Sequence, residues 1–260
     1  MITSLSNERV KTVRGLQARR RTREQEGRFI LEGVRLVGEL ARTGVRPDFI
    51  LYTQTVASDE RSSALLAAFH QMEIPCYAVS ESVMAACSDT ETPQGILAVV
   101  PVPDRAGPQD LTLALIVDGV RDPGNLGTIL RTAWAAAVDL VLLAPGTVDA
   151  TNPKVVRAGM GAHLHLPIRA CDWDAIRAET SGLDVWLAAA AGQIPYSAVE
   201  WRRPAGLIAG GEAEGAGAEA HALARGTVAI PMAPGVESLN TAIATAVVLF
   251  EVVRQRMSAT

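Results

Sequence analysis

The sequence lacks the long apolar runs of a membrane protein. A span needs roughly 20 apolar residues, and the best candidates are interrupted by Asp139 and Pro145 or end at Glu251. No basic segment followed by an apolar one marks a secretory signal. We therefore expect no membrane partner and a cytoplasmic location.

Cysteine is scarce. Cys76, Cys87 and Cys171 are odd in number and show no CxxC spacing, which predicts neither a disulfide framework nor a zinc site. We expect them to be small buried apolar residues. His163 and His165 alternate along a strand predicted over His163–Ile168, but no Cys, Asp or third His accompanies them. We expect no metal.

Lysine and aromatic residues are also rare. Only Lys11 and Lys154 are lysines among 24 basic residues, and Phe, Trp and Tyr make up 4% of the chain. The four isolated tryptophans are expected to be core or interface anchors rather than platforms for RNA bases. They are Trp134, Trp173, Trp186 and Trp201.

Positive charge is concentrated in one segment. The net charge of the 260 residues is −4, yet residues 1–35 carry nine basic and four acidic side chains. Arginine binds phosphate bidentately, and counterion release favours the contact, so this segment is a candidate RNA-binding stripe. Its candidate RNA contacts are Arg9, Arg19, Arg20, Arg21 and Arg23. The alternative is a solvated face of a helix, and Phe29 is the only aromatic residue in the stripe.

What is present indicates a globular α/β chain, with 48% hydrophobic and 20% charged residues. Residues 1–102 alternate helices and strands, beginning with a basic helix over Asn7–Gln25. Proline and glycine crowd residues 103–112, where we place a linker. Apolar strands separated by helices over 113–260 predict a parallel sheet covered on both faces.

Three glycine-rich turns follow predicted strands of this second region, and ligands bind beyond the carboxyl ends of such strands. The first is DGVRDPGNLGTILRTA, in which Asn125 can cap a helix that presents Gly127 and Arg131 on one face. The second is LIAGGEAEGAG, residues 207–217. The third is IPMAPGVESLN, residues 230–240, in which Ser238 is the expected cap of a helix over Ser238–Arg256.

Neither common nucleotide-binding fingerprint is present. A dinucleotide GxGxxG motif opens the first βα unit, whereas the paired glycines here lie late in the chain beside Glu212. The turn GNLGTILRT lacks the lysine of a phosphate-binding loop. A nicotinamide-dependent oxidoreductase, the alternative by fold, and a nucleoside-triphosphate enzyme are both disfavoured.

The three turns resemble the motifs of the SpoU-type RNA ribose 2′-O-methyltransferases of the SPOUT superfamily. Those motifs have the forms N-x-G-x-x-x-R-T-A, G-x-E-x-x-G and I-P-M followed by S-L-N. They occur here in order at residues 125–133, 210–215, 230–232 and 238–240. The stretch GRFILEGVRLVGEL also resembles the small substrate-binding domain that often precedes the catalytic domain.

The resemblance implies a trefoil-knotted parallel-sheet domain over 113–260 and a smaller, ribosomal-protein-like α/β domain over 1–102 that binds RNA. It also implies S-adenosylmethionine as methyl donor and a homodimer with the active site near the subunit interface. Five residues fall on the family's catalytic or substrate-positioning positions: Asn125, Arg131, Glu212, Ser238 and Asn240. Five fall on cofactor-binding positions: Gly210, Gly211, Ile230, Met232 and Leu239.

Physical chemistry restricts the role of Arg131. The resemblance makes it a candidate base, but a guanidinium with a pKa above about 12 is a poor base. We expect it to stabilise the developing alkoxide or to hold the adjacent phosphate. We expect Glu212 to fix its loop or Asn125.

The RNA itself is not specified by these residues. By analogy with enzymes that carry an extra N-terminal domain, ribosomal RNA is favoured over transfer RNA. An antibiotic-resistance ribosomal RNA methyltransferase and a non-catalytic RNA-binding module on the same scaffold remain alternatives.

Overall fold

The computed structural model describes residues 1–105, 107–212 and 215–258. Its contacts group the chain into two compact units. Unit 1 comprises residues 1–103 and 151–165, and unit 2 comprises residues 104–150 and 166–260. The α/β class and the C-terminal parallel sheet are confirmed.

Unit 1 is built on a four-stranded mixed sheet in the order β1-β4-β2-β3. Strand β4 is antiparallel to both β1 and β2, and β2 is parallel to β3. The strands are β1 Arg28–Glu32, β2 Phe49–Thr53, β3 Cys76–Val79 and β4 Ile96–Pro101. The helices are α1 Glu8–Ala18, α2 Arg20–Glu26, α3 Val34–Thr43, α4 Gln54–Ala57, α5 Glu60–Gln71, α6 Glu81–Cys87 and α8 Pro153–Gly159.

Both faces of this sheet are buried because its strands alternate their apolar side chains between two cores. Phe29 and Leu31 of β1 pack with helices α3 and α5 on one face. Ile30 packs with Val13 of α1 and Val83 of α6 on the other face.

Residues 151–165 belong to unit 1, an attachment that the sequence did not predict. Val156 of α8 and Leu164 are buried in the core with Leu36. At the end of the segment, the His165 Nε2 atom lies 3.2 Å from the Glu39 carboxylate. The boundaries 1–102, 103–112 and 113–260 remain a prediction.

Unit 2 is built on a seven-stranded sheet whose recorded pairings are all parallel, in the order β7-β6-β5-β10-β8-β11-β9. The strands are β5 Leu113–Asp118, β6 Leu140–Leu143, β7 Ile168–Ala170, β8 Asp184–Ala188, β9 Ile194–Pro195, β10 Ala205–Gly210 and β11 Gly226–Ala229. The helices are α7 Pro123–Ala135, α9 Trp173–Glu179, α10 Ala218–Leu223 and α11 Thr241–Met257.

The central strands of unit 2 read as continuous apolar runs because both faces of the sheet are covered. Ile116 and Ile208 pack with Ile176 of α9 and Ala220 of α10 on one face. Helix α11 contacts strand β10 and helix α7. Trp201 is fully buried, as expected of a core anchor, whereas Trp134 of α7 is 36% exposed.

Two predicted elements were wrong. The basic helix over Asn7–Gln25 is two helices, since Arg19 takes an extended backbone conformation with φ −128° and ψ 118°. The predicted strand His163–Ile168 starts as a 3₁₀ turn at Ala162–Leu164, and only Ile168–Ala170 is a strand. His163 instead lies in the core of unit 1, with its ring centroid 5.8 Å from that of Phe29.

The cysteines carry free thiols, and Cys87 is buried while Cys76 and Cys171 are half-buried. Burial raises the pKa of Cys76 and of Cys87 to about 11. Within the described ranges, no helix is long and apolar enough to cross a membrane.

Candidate active site

A cavity of about 680 Å³ opens at the carboxyl ends of strands β8, β10 and β11 in unit 2. Its buried floor includes Leu187, Ala209 and Val228. A size between about 300 and 1,000 Å³ is typical of a small-molecule site. The residues predicted to bind a cofactor all line it: Gly210, Gly211, Ile230, Met232 and Leu239.

Two of these glycines are required by close backbone approach. A Cβ atom on Gly210 would lie 2.6 Å from the backbone nitrogen of Ala216, and one on Gly211 would lie 2.5 Å from the carbonyl oxygen of Gly119. Contacts under 3.0 Å are not tolerated by real Cβ atoms. At these two positions the wall of the cavity is therefore backbone packed on backbone.

Glu212 braces the first two glycine-rich turns against each other. Its carboxylate accepts a hydrogen bond from Asn125 Nδ2 at 2.8 Å and from the backbone N–H groups of Arg121 and Asp122 at 3.3 and 3.4 Å. Partial burial raises the pKa of Glu212, but these hydrogen bonds outweigh it and leave the pKa below its ordinary value of 4.5. The carboxylate is thus held ionised and occupied, as expected of a brace and not of a base.

The third turn joins the same network through Asn240. Its Nδ2 atom donates to Asn125 Oδ1 at 2.9 Å, so Asn125 connects Glu212 to Asn240. The next residue, Thr241, donates from its hydroxyl to the Gly210 carbonyl at 2.8 Å. Three turns that are up to 115 residues apart in sequence therefore converge at one edge of the sheet.

Both predicted helix caps were wrong. Helix α7 is capped by Asp122, whose side chain accepts from the Asn125 backbone N–H at 2.7 Å. Helix α11 starts at Thr241 and is capped by Asn240, which accepts from the backbone of Ala242 and Ile243. The Asn125 and Ser238 side chains are therefore not needed as caps, and Ser238 lines the cavity.

Arg131 is the one predicted catalytic residue that the structure does not bring to this cavity or its network. It lies on the exposed side of α7 and makes no recorded hydrogen bond or ion pair with the described residues. Glu212, Ser238 and Asn240 line the cavity, and Asn125 reaches it through Asn240.

Sequence reasoning missed two ionisable side chains that line the cavity, Glu237 and His221. Glu237 lies directly before the S-L-N segment, so its position in the third turn was a usable signal. His221 lies on α10, and no motif pointed to it. Asp118 was also overlooked: its buried carboxylate accepts from the Gly217 backbone at 2.7 Å and holds the second turn.

The candidate RNA contacts in unit 1 have different environments. Arg19 and Arg21 are exposed, and Arg20 pairs with Glu24 at 2.6 Å. Arg9 lies 4.0 Å above the ring of Tyr77 and donates to its hydroxyl at 2.8 Å.

Arg23 does not fit an RNA contact. It is 4% exposed and donates to the Leu16 carbonyl at 2.8 Å, so it closes the C-terminal end of α1. Its guanidinium satisfies backbone groups that the break at Arg19 leaves open.

Within the described residues, no group of three or more His, Cys, Asp or Glu side chains could hold a metal ion.

Both parts of the chain are similar to known protein families. Residues 112–250 match the SpoU rRNA Methylase family, and residues 7–98 match an MRM3-like substrate binding domain. A 23S rRNA (guanosine(2553)-2′-O)-methyltransferase of Bacillus subtilis is 34% identical, with 96% of this chain and 97% of that protein covered. The mitochondrial rRNA methyltransferase 3 of Homo sapiens is 31% identical, with 95% and 72% covered.

Solved structures of rRNA and SpoU methyltransferases are similar to this chain over nearly its whole length. The AdoMet-bound rRNA methyltransferase from Sinorhizobium meliloti is 30% identical, with a TM-score of 0.85 and 97% of each chain covered. The SpoU methyltransferase AviRb from Streptomyces viridochromogenes, in complex with AdoMet, is 26% identical, with a TM-score of 0.87 and 97% and 99% covered. The chain belongs to the SpoU rRNA methylase family.

Proposed function

We propose that this protein is an S-adenosylmethionine-dependent RNA methyltransferase that methylates a ribose 2′-hydroxyl, with ribosomal RNA as substrate. The observation that carries the proposal is the convergence of three turns on one cavity, through the chain from Glu212 to Asn125 to Asn240. The rRNA methyltransferases among its relatives support the reaction and the RNA class.

The cavity fits the cofactor by its shape and charge. Its described lining contains the carboxylates Glu212 and Glu237 but no lysine or arginine, which suits a cationic sulfonium and not a triphosphate. Bound S-adenosylmethionine supplies an electrophilic methyl group. The buried apolar residues Leu187, Ala209 and Val228 would contact the adenosine part of the cofactor.

The protein's task in the reaction is to orient the ribose 2′-oxygen and to stabilise charge on it. Asn125 and Asn240 hold the turns in place, and Ser238 presents a hydroxyl in the cavity. Arg131, as a permanent cation, binds the oxygen as it becomes anionic or the adjacent phosphate. The proton leaves to that phosphate or to water.

The exposed position of Arg131 supports a homodimer in which this arginine serves a site shared with a second copy. Helices α7 and α11 contact each other, and both carry exposed apolar side chains. Ile243 is 53% exposed, Phe250 50% and Trp134 36%, and exposed apolar groups of this size mark interfaces. The trefoil knot implied by the family resemblance and the expected cytoplasmic location are parts of the same proposal.

Labelled methyl transfer tests the reaction. S-adenosylmethionine with a labelled methyl group is incubated with unmodified ribosomal and transfer RNA transcripts, and ribose methylation is mapped by nuclease resistance. We expect label in a ribosomal RNA for the wild type and its loss in R131A and R131K. Label in neither RNA, with cofactor binding intact by calorimetry, would instead support a non-catalytic RNA-binding module.

Subunit complementation tests the shared site. R131A and N240A, each inactive alone, are unfolded together and refolded as a mixture. Random refolding makes half of the dimers mixed. If Arg131 serves the partner's cavity, each mixed dimer has one intact site out of two, so about a quarter of wild-type activity returns. No recovery, with mixed dimers confirmed by a tag, would place Arg131 in its own subunit's site.

A further inference from the structure

Among the described residues that line the cavity, the carboxylate of Glu237 has no structural contact within the fold. Of the carboxylates in its described lining, Glu212 is occupied by Asn125 and two backbone N–H groups. Glu237 is exposed and makes no recorded hydrogen bond or ion pair with the described residues. A carboxylate with no structural role in a ligand cavity is a candidate for ligand recognition.

The position of Glu237 determines which part of a bound ligand it can contact. The floor is formed by buried apolar residues such as Leu187, Ala209 and Val228, whereas Glu237 lies in the exposed turn before Ser238. A flat nucleobase is stabilised by the apolar floor, and a doubly charged amino-acid group is stabilised where water remains. A ligand that has both parts is therefore expected to direct its amino-acid end towards the turn that carries Glu237.

The charge of Glu237 indicates which group of the ligand's amino-acid part it contacts. The described lining has no lysine or arginine that would neutralise Glu237. An ammonium group is the complement of an unpaired carboxylate, and a charge-assisted hydrogen bond between them is stronger than a neutral one.

We propose that Glu237 binds the α-ammonium group of the methionine part of the cofactor, and so determines the affinity of the cavity for amino-acid-bearing adenosine ligands. This inference rests on the proposed function. It assigns Glu237 a binding role and no part in proton transfer.

Calorimetry without RNA tests the inference with three probes. S-adenosylmethionine carries the ammonium and the sulfonium, S-adenosylhomocysteine carries the ammonium alone, and 5′-methylthioadenosine carries neither charge. For E237Q we expect about fivefold to tenfold weaker binding of the first two probes, the range for one partly exposed charge-assisted contact. Binding of 5′-methylthioadenosine should be unchanged.

Two controls accompany the variant. D110N removes an exposed carboxylate of unit 2 that does not line the cavity, and it should bind all three probes as the wild type does. Thermal unfolding of E237Q should match the wild type, because Glu237 has no recorded partner among the described residues.

The other outcomes overturn the inference in distinct ways. Equal weakening of all three probes would place Glu237 on the ribose, and weakening of S-adenosylmethionine alone would place it on the sulfonium. Unchanged binding of all three by E237Q would leave Glu237 without a role in recognition while the proposed function stands. Failure of the wild type to bind any of the probes would overturn both.

Discussion

The two units use sheets of different kinds for different purposes. In unit 1, the mixed sheet puts strand ends at both edges, and apolar side chains fill a core on each face. In unit 2, the recorded strand pairings are all parallel, so the turns after β5, β8, β10 and β11 meet at one edge. Convergence of distant turns follows from parallel pairing, and this is why the cavity and its polar network lie in unit 2.

The functional residues of the two units also differ in how firmly they are held in place. The network of unit 2 depends on atoms held within 2.8 to 2.9 Å of each other, from Glu212 to Asn125 to Asn240. The exposed arginines of unit 1, Arg19 and Arg21, have no comparable constraint. Chemistry needs fixed geometry, whereas phosphate contacts are sequence-independent and tolerate movement.

The largest expected effect concerns whether residues 151–165 are truly structural in unit 1. Leu164 is fully buried in that unit's core, so L164A should lower the free energy of unfolding by about 2 to 5 kcal/mol. Chemical denaturation measures the loss, and hydrogen exchange should locate it in strands β1 and β4. L5A, at an exposed residue of the same unit, should cost less than about 0.5 kcal/mol; similar values for both variants would contradict the assignment.

The next effect tests whether the cavity wall of unit 2 depends on backbone packing. G211A puts a methyl group 2.5 Å from the Gly119 carbonyl oxygen. Such overpacking costs about 1 to 3 kcal/mol. The melting temperature and the affinity for S-adenosylmethionine should fall together. G182A is the matched control, because nothing lies within 4 Å of its Cβ position; if G211A melts like G182A, the wall is not closely packed.

A smaller effect is expected on the salt dependence of RNA binding, and it distinguishes the exposed arginines of the two units. Replacing the exposed Arg19 and Arg21 by glutamine should lower the salt-dependence slope of RNA binding by about 1 to 2, since each phosphate contact contributes about 0.7 to 0.9. Filter binding at several salt concentrations measures the slope. The double variant R203Q/R225Q, exposed on unit 2, should leave the slope unchanged. An equal change in both would mean that the phosphate contacts are not concentrated on Arg19 and Arg21.

The smallest effect is the pH dependence that Glu251 gives to the stability of unit 2. Hydrogen bonds from Arg254 lower the pKa of Glu251 from 4.5 to about 2. The folded state therefore binds this proton less readily than the unfolded chain, and the stabilisation is lost as the pH falls from about 4.5 towards 2. Because Arg254 is largely exposed, we expect at most about 1 kcal/mol. Melting curves of the wild type should decline more steeply below pH 4.5 than those of E251Q; parallel declines would refute the assignment.

Local sequence signals predicted most elements but not their ends. The helix predicted over Ser238–Arg256 is present, but it begins at Thr241 and ends at Met257. The caps failed because several residues near each helix start could accept a backbone hydrogen bond. Asp122 caps α7 by accepting from the Asn125 backbone, whereas the Asn125 side chain donates to Glu212, which lies 87 residues away. The local sequence did not distinguish these two roles of nearby polar residues.

In the candidate site, too, the sequence predicted some features and the tertiary structure decided others. Motif spacing identified the glycines and the polar residues that line the cavity or brace it, since a close turn needs glycine and a brace needs a carboxylate or an amide. Spacing carried no information on Arg23, which the break at Arg19 turns inward to the Leu16 carbonyl. Nor did it show that Arg131 would lie outside its own cavity.

By itself, the sequence determined the α/β class, the parallel sheet of the second region and the family, because apolar runs and turn residues act locally and the motifs are contiguous. Only the tertiary structure decided which of several polar residues are occupied and which are free to bind. Glu212 and Glu237 are both glutamates in glycine-rich turns, yet one is held by Asn125 and the backbone and the other has no recorded partner among the described residues. That difference arises from contacts between residues far apart in the chain, which no local pattern encodes.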